Sequence, residues 1–235
     1  MSNDSLSTTR TYPGLDLGVY PGDPAMDAYK AAGFAVVGVY LANKPGRIHG
    51  GPNNGWIDAA RGLAAKGWGL APVYVGAQAS GQGNWPATDP LHDAGIDAAE
   101  AVKFARLAGL VKGQTLFLDV EAPFAVGSAQ ERYVLEWVRQ VRAQGFKPAL
   151  YGFAHQIAWA RQHDLAIWTV HLNAASGKKD PATGKTTWCR LGTPLPADPI
   201  DSGAAGTQTR FYCHAAGRPE AIDYDRWTVA DPSRM

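Results

Sequence analysis

Two carboxylates, Asp119 and Glu121, close the segment Gln-Thr-Leu-Phe-Leu-Asp-Val-Glu at positions 114–121. A run this apolar and this short reads as a buried strand, and along a strand side chains alternate between faces. Leu116, Leu118 and Val120 then share one face, and Phe117, Asp119 and Glu121 the other. Strand rise sets the α-carbons of the two acids roughly 6.5–7 Å apart, side by side at the strand's C-terminal end. Crowding two acids beside a buried strand is costly unless a task demands it. Paired carboxylates at about this separation are what glycoside hydrolysis requires.

The pair needs a frame that brings strand ends together. Apolar strands alternate with helices along most of the chain: 14–19, 34–41, 68–75, 114–120, 147–152 and 165–172 read as strands, and 23–33, 56–67, 90–109, 128–145 and 154–163 as helices. Ser128 with Glu131 forms a capping box at the start of the fourth helix. Residues 174–207, rich in Gly, Pro, Lys and Asp, read as a long loop with a short hairpin near 186–191. Strand seven follows at 209–214 and a short strand eight at 221–224. Near-continuous apolar strands separated by helices imply a parallel sheet covered on both faces. Six strand–helix units plus two degenerate ones make an α/β protein, an irregular (β/α)8 TIM-type barrel with degenerate last strands. An open doubly wound sheet is the rival, but no Gly-x-Gly-x-x-Gly turn follows the first strand. The division expected is a flexible segment 1–12, one barrel domain 13–227, and a loosely held tail 228–235.

In such a barrel functional side chains sit at the C-terminal strand ends. Strand one offers Asp16, of opposite parity to Leu15 and Leu17; strand eight offers Asp223. Closure sets strands eight and one side by side, so Asp16 and Asp223 become neighbours and face Asp119 and Glu121 across one mouth. Asp225 reads as a surface acid. Tyr40, Tyr74, Tyr151, Trp168, His171 and Asn173, from strands two, three, five and six, are candidates to line a sugar cleft; for the aromatics plain barrel core is an equal reading. With eight tryptophans and nine tyrosines the chain has enough rings for both.

Other chemistries find less support. A net charge of +1 in 235 residues argues against nucleic acid or anionic membrane as the partner, and no stretch approaches the ~18 apolar residues of a membrane span. The six histidines form no His-x-x-x-His or paired-Cys pattern, so no metal or other cofactor is expected. No Gly-x-Ser-x-Gly marks a serine nucleophile. Cys189 and Cys213 imply no disulfide framework and read as reduced, partly buried thiols, with one bridge as the alternative. The Ser/Thr-rich start does not resemble a secretory signal. The expected protein is a monomer, cytoplasmic or released by lysis or a dedicated route.

Taken together, Gly-Leu-Asp-Leu-Gly-Val-Tyr-Pro-Gly (14–22), Leu-Phe-Leu-Asp-Val-Glu (116–121), Leu-Tyr-Gly-Phe (150–153), Ile-Trp (167–168) and Ile-Asp-Tyr-Asp (222–225) resemble the family 25 glycoside hydrolases, lysozyme-like muramidases with an irregular barrel. Val-Gly-Val-Tyr-Leu (37–41) and Ala-Pro-Val-Tyr (71–74) are closer still to bacterial glycoside-hydrolase-like domains of the same superfamily. The resemblance implies that Glu121 is the general acid, protonated at rest beside Asp119, and that Asp119 orients the site and stabilises charge. It implies that Asp16 and Asp223 are the acids of the first and last strands. A polysaccharide or peptidoglycan fragment is then the expected substrate. The lysozymes' His-Phe after strand three is Val-Gly-Ala-Gln here (75–78), and their strand-seven Trp-Gln-Tyr is matched to Phe-Tyr-Cys (211–213). These departures motivate a second reading, a non-catalytic barrel that binds glycans or a protein. A chitinase-like hydrolase is a third, although such barrels carry a longer acidic run after strand four.

Overall fold

A computed structural model of the chain describes residues 10–41, 55–77, 90–120, 124–171, 176–180, 183 and 185–235. Its strands are β1 (Tyr12–Asp16), β2 (Val36–Tyr40), β3 (Gly69–Val75), β4 (Thr115–Asp119), β5 (Lys147–Phe153), β6 (Ala166–Val170), β7 (Lys178–Lys179), β8 (Thr186–Thr187), β9 (Cys189–Arg190), β10 (Gly206–His214) and β11 (Ile222–Trp227). Helices α1 (Asp23–Ala31), α2 (Trp56–Ala65), α3 (Pro90–Leu107), α4 (Ala129–Ala143) and α5 (Ile157–Gln162) cover the outside. The strands β1–β6, β10 and β11 close into a barrel in the order β11-β1-β2-β3-β4-β5-β6-β10, sealed by pairing of β10 with β11. The α/β barrel expected from the alternation is the one observed.

Its last strand departs from the repeat. β11 runs antiparallel to both β10 and β1. A parallel return needs a crossover of a dozen or more residues, whereas only residues 215–221 separate β10 from β11. The chain therefore turns back as a hairpin. This reversal brings the start of β11, rather than its end, to the mouth, and sets Asp223 directly across from Asp16.

Alternation sorts the side chains as the apolar pattern requires. Leu15, Leu70, Leu116, Leu118, Leu150 and Ile167 pack outward into the layer shared with the helices. Val36, Ala71, Val73, Phe117, Ala149, Tyr151, Trp168 and Trp227 fill the barrel interior. Phe117, Trp168 and Trp227 meet edge-on or tilted, with ring centroids 4.9–6.0 Å apart, and form an aromatic floor. The Ser128 cap is present: Ser128 Oγ accepts from the Glu131 amide at 3.1 Å, while the Glu131 carboxylate takes the Gly127 amide and the Trp159 indole N–H.

The C-terminal third is pinned rather than loose. Arg210 forks onto Asp198 at 2.6 and 2.8 Å, and Tyr224 and Arg226 donate to the Pro196 carbonyl, so residues 191–205 are clamped to the barrel's outer wall. The expected loose tail is also corrected. Pro232 and Ser233 are buried, Asp231 accepts from the Leu70 amide, and the Met235 carbonyl accepts from Thr115 and Lys147. The tail gives the open Leu70 amide at the barrel's lower rim its acceptor, and the Thr115 and Lys147 side chains satisfy the tail's terminal carbonyl in return. Cys189 and Cys213 form a disulfide that joins register partners of β9 and β10, which corrects the reading of two free thiols. Among the described residues no helix is long and apolar enough to cross a membrane.

Candidate active site

The C-terminal strand ends gather an acidic cluster. Asp16 ends β1, Asp119 ends β4, and Asp223 and Asp225 lie on the inward face of β11; Asp16, Asp119 and Asp225 are buried. Glu121, two positions beyond Asp119, and Asn173 lie outside the described residues. Asp16 is held from two sides. The Tyr40 hydroxyl donates to Oδ1 at 2.8 Å and the Gln208 amide donates to Oδ2 at 3.0 Å. Gln208 accepts in turn from the Tyr151 hydroxyl. That relay settles the amide's orientation, with oxygen toward the phenol and nitrogen toward the carboxylate. Burial, and then the Asp16 carboxylate, pushes the Tyr40 phenol well above its ordinary range, so it stays a donor.

Asp225 was read as a surface acid, and the structure corrects this. Alternation along β11 sets Asp223, Asp225 and Trp227 on one face, which the closed barrel turns inward. The Trp168 indole donates to Asp225 Oδ1 at 3.2 Å, and Oδ2 is buried with no donor. Burial first, then the neighbouring Asp16 and Asp223 carboxylates, drives Asp225 well above the usual carboxylate range. A protonated carboxyl suits that position: it accepts once, from the indole, and adds no third negative charge beside Asp16 and Asp223. Asp223 is more accessible and accepts from the Tyr212 amide at 3.0 Å. Asp16, Tyr40, Tyr212 and Asp223 line an open cavity of about 120 Å³.

The backbone makes room for this arrangement at Gly38 on β2. A β-carbon there would sit 2.6 Å from Asp16 Cβ and 3.4 Å from the Trp168 ring. Gly38→Ala is expected to destabilise the fold by about 1–3 kcal/mol, the usual cost of overpacking, and to displace Asp16. Urea denaturation checks the first effect and glycan affinity the second.

Other candidates fall elsewhere. Tyr151 and Trp168 belong beneath the acids, positioning Gln208 and Asp225, and are too buried to offer a ring face to a ligand. Tyr74 does not reach the mouth. On β3 the inward positions are Ala71 and Val73, so Tyr74 points out, donating to Glu100 at 2.7 Å and Asp97 at 3.2 Å of α3. Tyr74→Phe is expected to lower stability by about 1–2 kcal/mol through the lost buried bonds, read by urea denaturation, with glycan affinity unchanged. His171 also has outward parity; it is exposed and its Nδ1 pairs with Asp201 at 2.8 Å. Two residues of the cluster were missed. Gln208 fell one position short of the expected strand 209–214, although Thr207 and Thr209 beside it are strand formers. Asp225 was available from the parity of Asp223. Among the described residues no three His, Cys, Asp or Glu side chains group to hold a metal ion.

Comparison with known proteins agrees with this architecture. No curated protein matches the sequence. A B. stearothermophilus protein of known structure superimposes with a TM-score of 0.59 at 18% identity, covering 91% of this chain and 94% of its own. The Mycobacterium tuberculosis Tat-secreted protein Rv2525c, solved with L-tartrate, gives 0.57 at 14% identity over 93% and 95%. The modular autolysin LytC of Streptococcus pneumoniae, solved with a synthetic peptidoglycan ligand, gives 0.57 at 11% identity, covering 93% of this chain and 47% of that one. At these identities the likeness is one of fold. Residues 27–227, nearly the whole barrel with its last acid-bearing strand, match one family, and the chain belongs to it: the Rv2525c-like, glycoside hydrolase-like domains.

Proposed function

We propose that the protein hydrolyses glycosidic bonds of peptidoglycan or a related amino-sugar polymer by carboxylate acid catalysis. The observation that carries this reading is the convergence of Asp16, Asp119, Asp223 and Asp225 at the C-terminal mouth, with Asp16 oriented by Tyr40 and Gln208. The peptidoglycan ligand of LytC, a protein of like fold, supports the substrate class. Glu121 acts as the general acid and protonates the leaving oxygen. Asp119, with Asp16 or Asp223, stays ionised and stabilises the oxocarbenium-like transition state. Asp225, its carboxyl held well above the usual range by burial and by Asp16 and Asp223, accepts from Trp168 and keeps that ring in place. On a sugar with a 2-acetamido group, that group serves as the nucleophile, as in substrate-assisted hydrolysis.

A second reading has its own observation. Both oxygens of Asp16 are engaged by protein donors, so the carboxylate is held by the protein rather than offered to a reacting atom. A barrel that binds glycan without turning it over fits that. Incubating the protein with peptidoglycan, chitin oligomers and common polysaccharides, with Asp119→Asn as control, separates the two. New reducing ends from one substrate, lost in the variant, support hydrolysis; retention on a glycan without product supports binding alone.

A further inference from the structure

Beside the acidic mouth, on the β10 side, the surface carries aromatic rings that the barrel does not need. Trp188 is 44% exposed and Tyr212 36% exposed. Their ring centroids lie 6.2 Å apart, and the His214 ring sits 4.6 Å from Trp188. Tyr212 belongs at once to the mouth: it lines the cavity with Asp16 and Asp223, and its amide donates to Asp223. Its backbone is left-handed, with φ of 51°, a conformation that costs a bulky residue energy and persists only where the surroundings enforce it. Here they do. The Cys189–Cys213 bond ties the residue after Trp188 to the residue after Tyr212, fixing both rings on one short frame. Beyond His214 opens a groove of about 460 Å³ lined by Arg190, His214 and Arg218. Arg218 is paired with Glu220, but Arg190 is exposed and forms no ion pair among the described residues.

We propose that Tyr212, Trp188 and the Arg190 groove form a binding track leading away from the mouth, on which a glycan stacks a pyranose face against Trp188 and sets an anionic substituent against Arg190. The inference rests on the reading of the mouth as a glycan site and adds to it a substrate class: a polymer whose sugars bear carboxylate-containing substituents, as peptide stems are. Exposed rings held rigid beside a sugar site present flat apolar faces at little entropic cost. A neutral glycan uses only the rings, whereas an acidic one also uses the guanidinium.

The test is titration calorimetry with two probes, a neutral chitin tetrasaccharide and a peptidoglycan-derived disaccharide dipeptide that carries carboxylates, with chromatography of any products. Trp188→Ala, at an exposed position that leaves the fold intact, is expected to raise Kd for both probes about tenfold, the loss of one stacked ring, and Trp188→Phe to restore most of it. Arg190→Gln is expected to raise Kd for the acidic probe about threefold, as befits an exposed charge, and leave the neutral probe unchanged. Unchanged affinity in Trp188→Ala overturns the track, and equal or absent effects of Arg190→Gln overturn its acidic specificity. The outcome for catalysis is separate. Cleavage with no dependence on Trp188 leaves the hydrolase reading standing without the track, and Trp188-dependent binding with no product supports the track and removes the hydrolase reading.

Discussion

Glu121→Gln is expected to lower kcat on peptidoglycan by about 10²–10⁴-fold, the usual contribution of a positioned general acid, with little change in affinity. The physical content lies in how that loss varies with the leaving group. A sugar alkoxide is a poor leaving group and needs its proton in the transition state; an activated aryl oxide does not. The defect should therefore shrink on aryl glycosides as the pKa of the departing phenol falls. Removing an acid also removes the limb of the pH–rate profile that its deprotonation causes. Equal losses on all leaving groups would show that Glu121 acts in binding or folding instead. Asp119→Asn should behave differently, with a loss that persists on activated substrates, because charge stabilisation is needed whichever group departs.

Asp225→Asn is expected to remove the pH dependence that its carboxyl imposes on stability. The folded protein holds the Asp225 proton far more tightly than the unfolded chain does, because the site is buried and faces Asp16 and Asp223. Between the unfolded carboxylate pKa, about 4, and the raised folded value, the native state binds the extra proton and the unfolded state does not. Stability therefore falls as pH rises through that window, by about 1.4 kcal/mol per pH unit for this one proton. Below the window the contribution is complete, and above it the loss is complete. Asparagine keeps an oxygen for the Trp168 indole and carries no charge at any pH. Urea denaturation of both proteins from pH 4 to pH 9 should show the variant gaining on the wild type as pH rises. Parallel curves would place Asp225 among ordinary ionised acids.

The barrel was legible because its signal is redundant. The strands β2 to β6 each carry an apolar run long enough to read alone, and the helices between them are bounded by glycines and by the Ser128 cap. The inward parity of Phe117 and Asp119 followed from the same alternation, as did that of Asp16. The errors share one physical origin. Tyr74 was placed at the mouth by its position near a strand end, although alternation turns Val73 inward and Tyr74 toward α3. Asp225 shares parity with Asp223 and is buried, although its place near the end of the chain suggests a surface acid. In both cases period-two alternation carried the answer and proximity to a strand end did not.

Reversal of β11 follows from a connection too short to cross over, a signal already present in the gap between the expected strands 209–214 and 221–224. The remainder depends on contacts that no local pattern encodes. Gln208 acquires its role from two partners distant in sequence, Asp16 and Tyr151. The tail at 228–235 looks polar and loose in isolation and is ordered by bonds to the Leu70 amide and to the Thr115 and Lys147 side chains at the barrel's lower rim. The bond between Cys189 and Cys213 depends on β9 adding to the edge of β10, a pairing that two residues of sequence do not announce.

Hydrolysis of a glycosidic bond at the acidic mouth is tested by digestion of purified peptidoglycan in ¹⁸O-labelled water followed by mass spectrometry of the fragments. Shorter saccharides with one ¹⁸O at each new anomeric carbon are expected from the wild type and not from Glu121→Gln. Intact glycan chains, or fragments whose new ends carry no label, would contradict it.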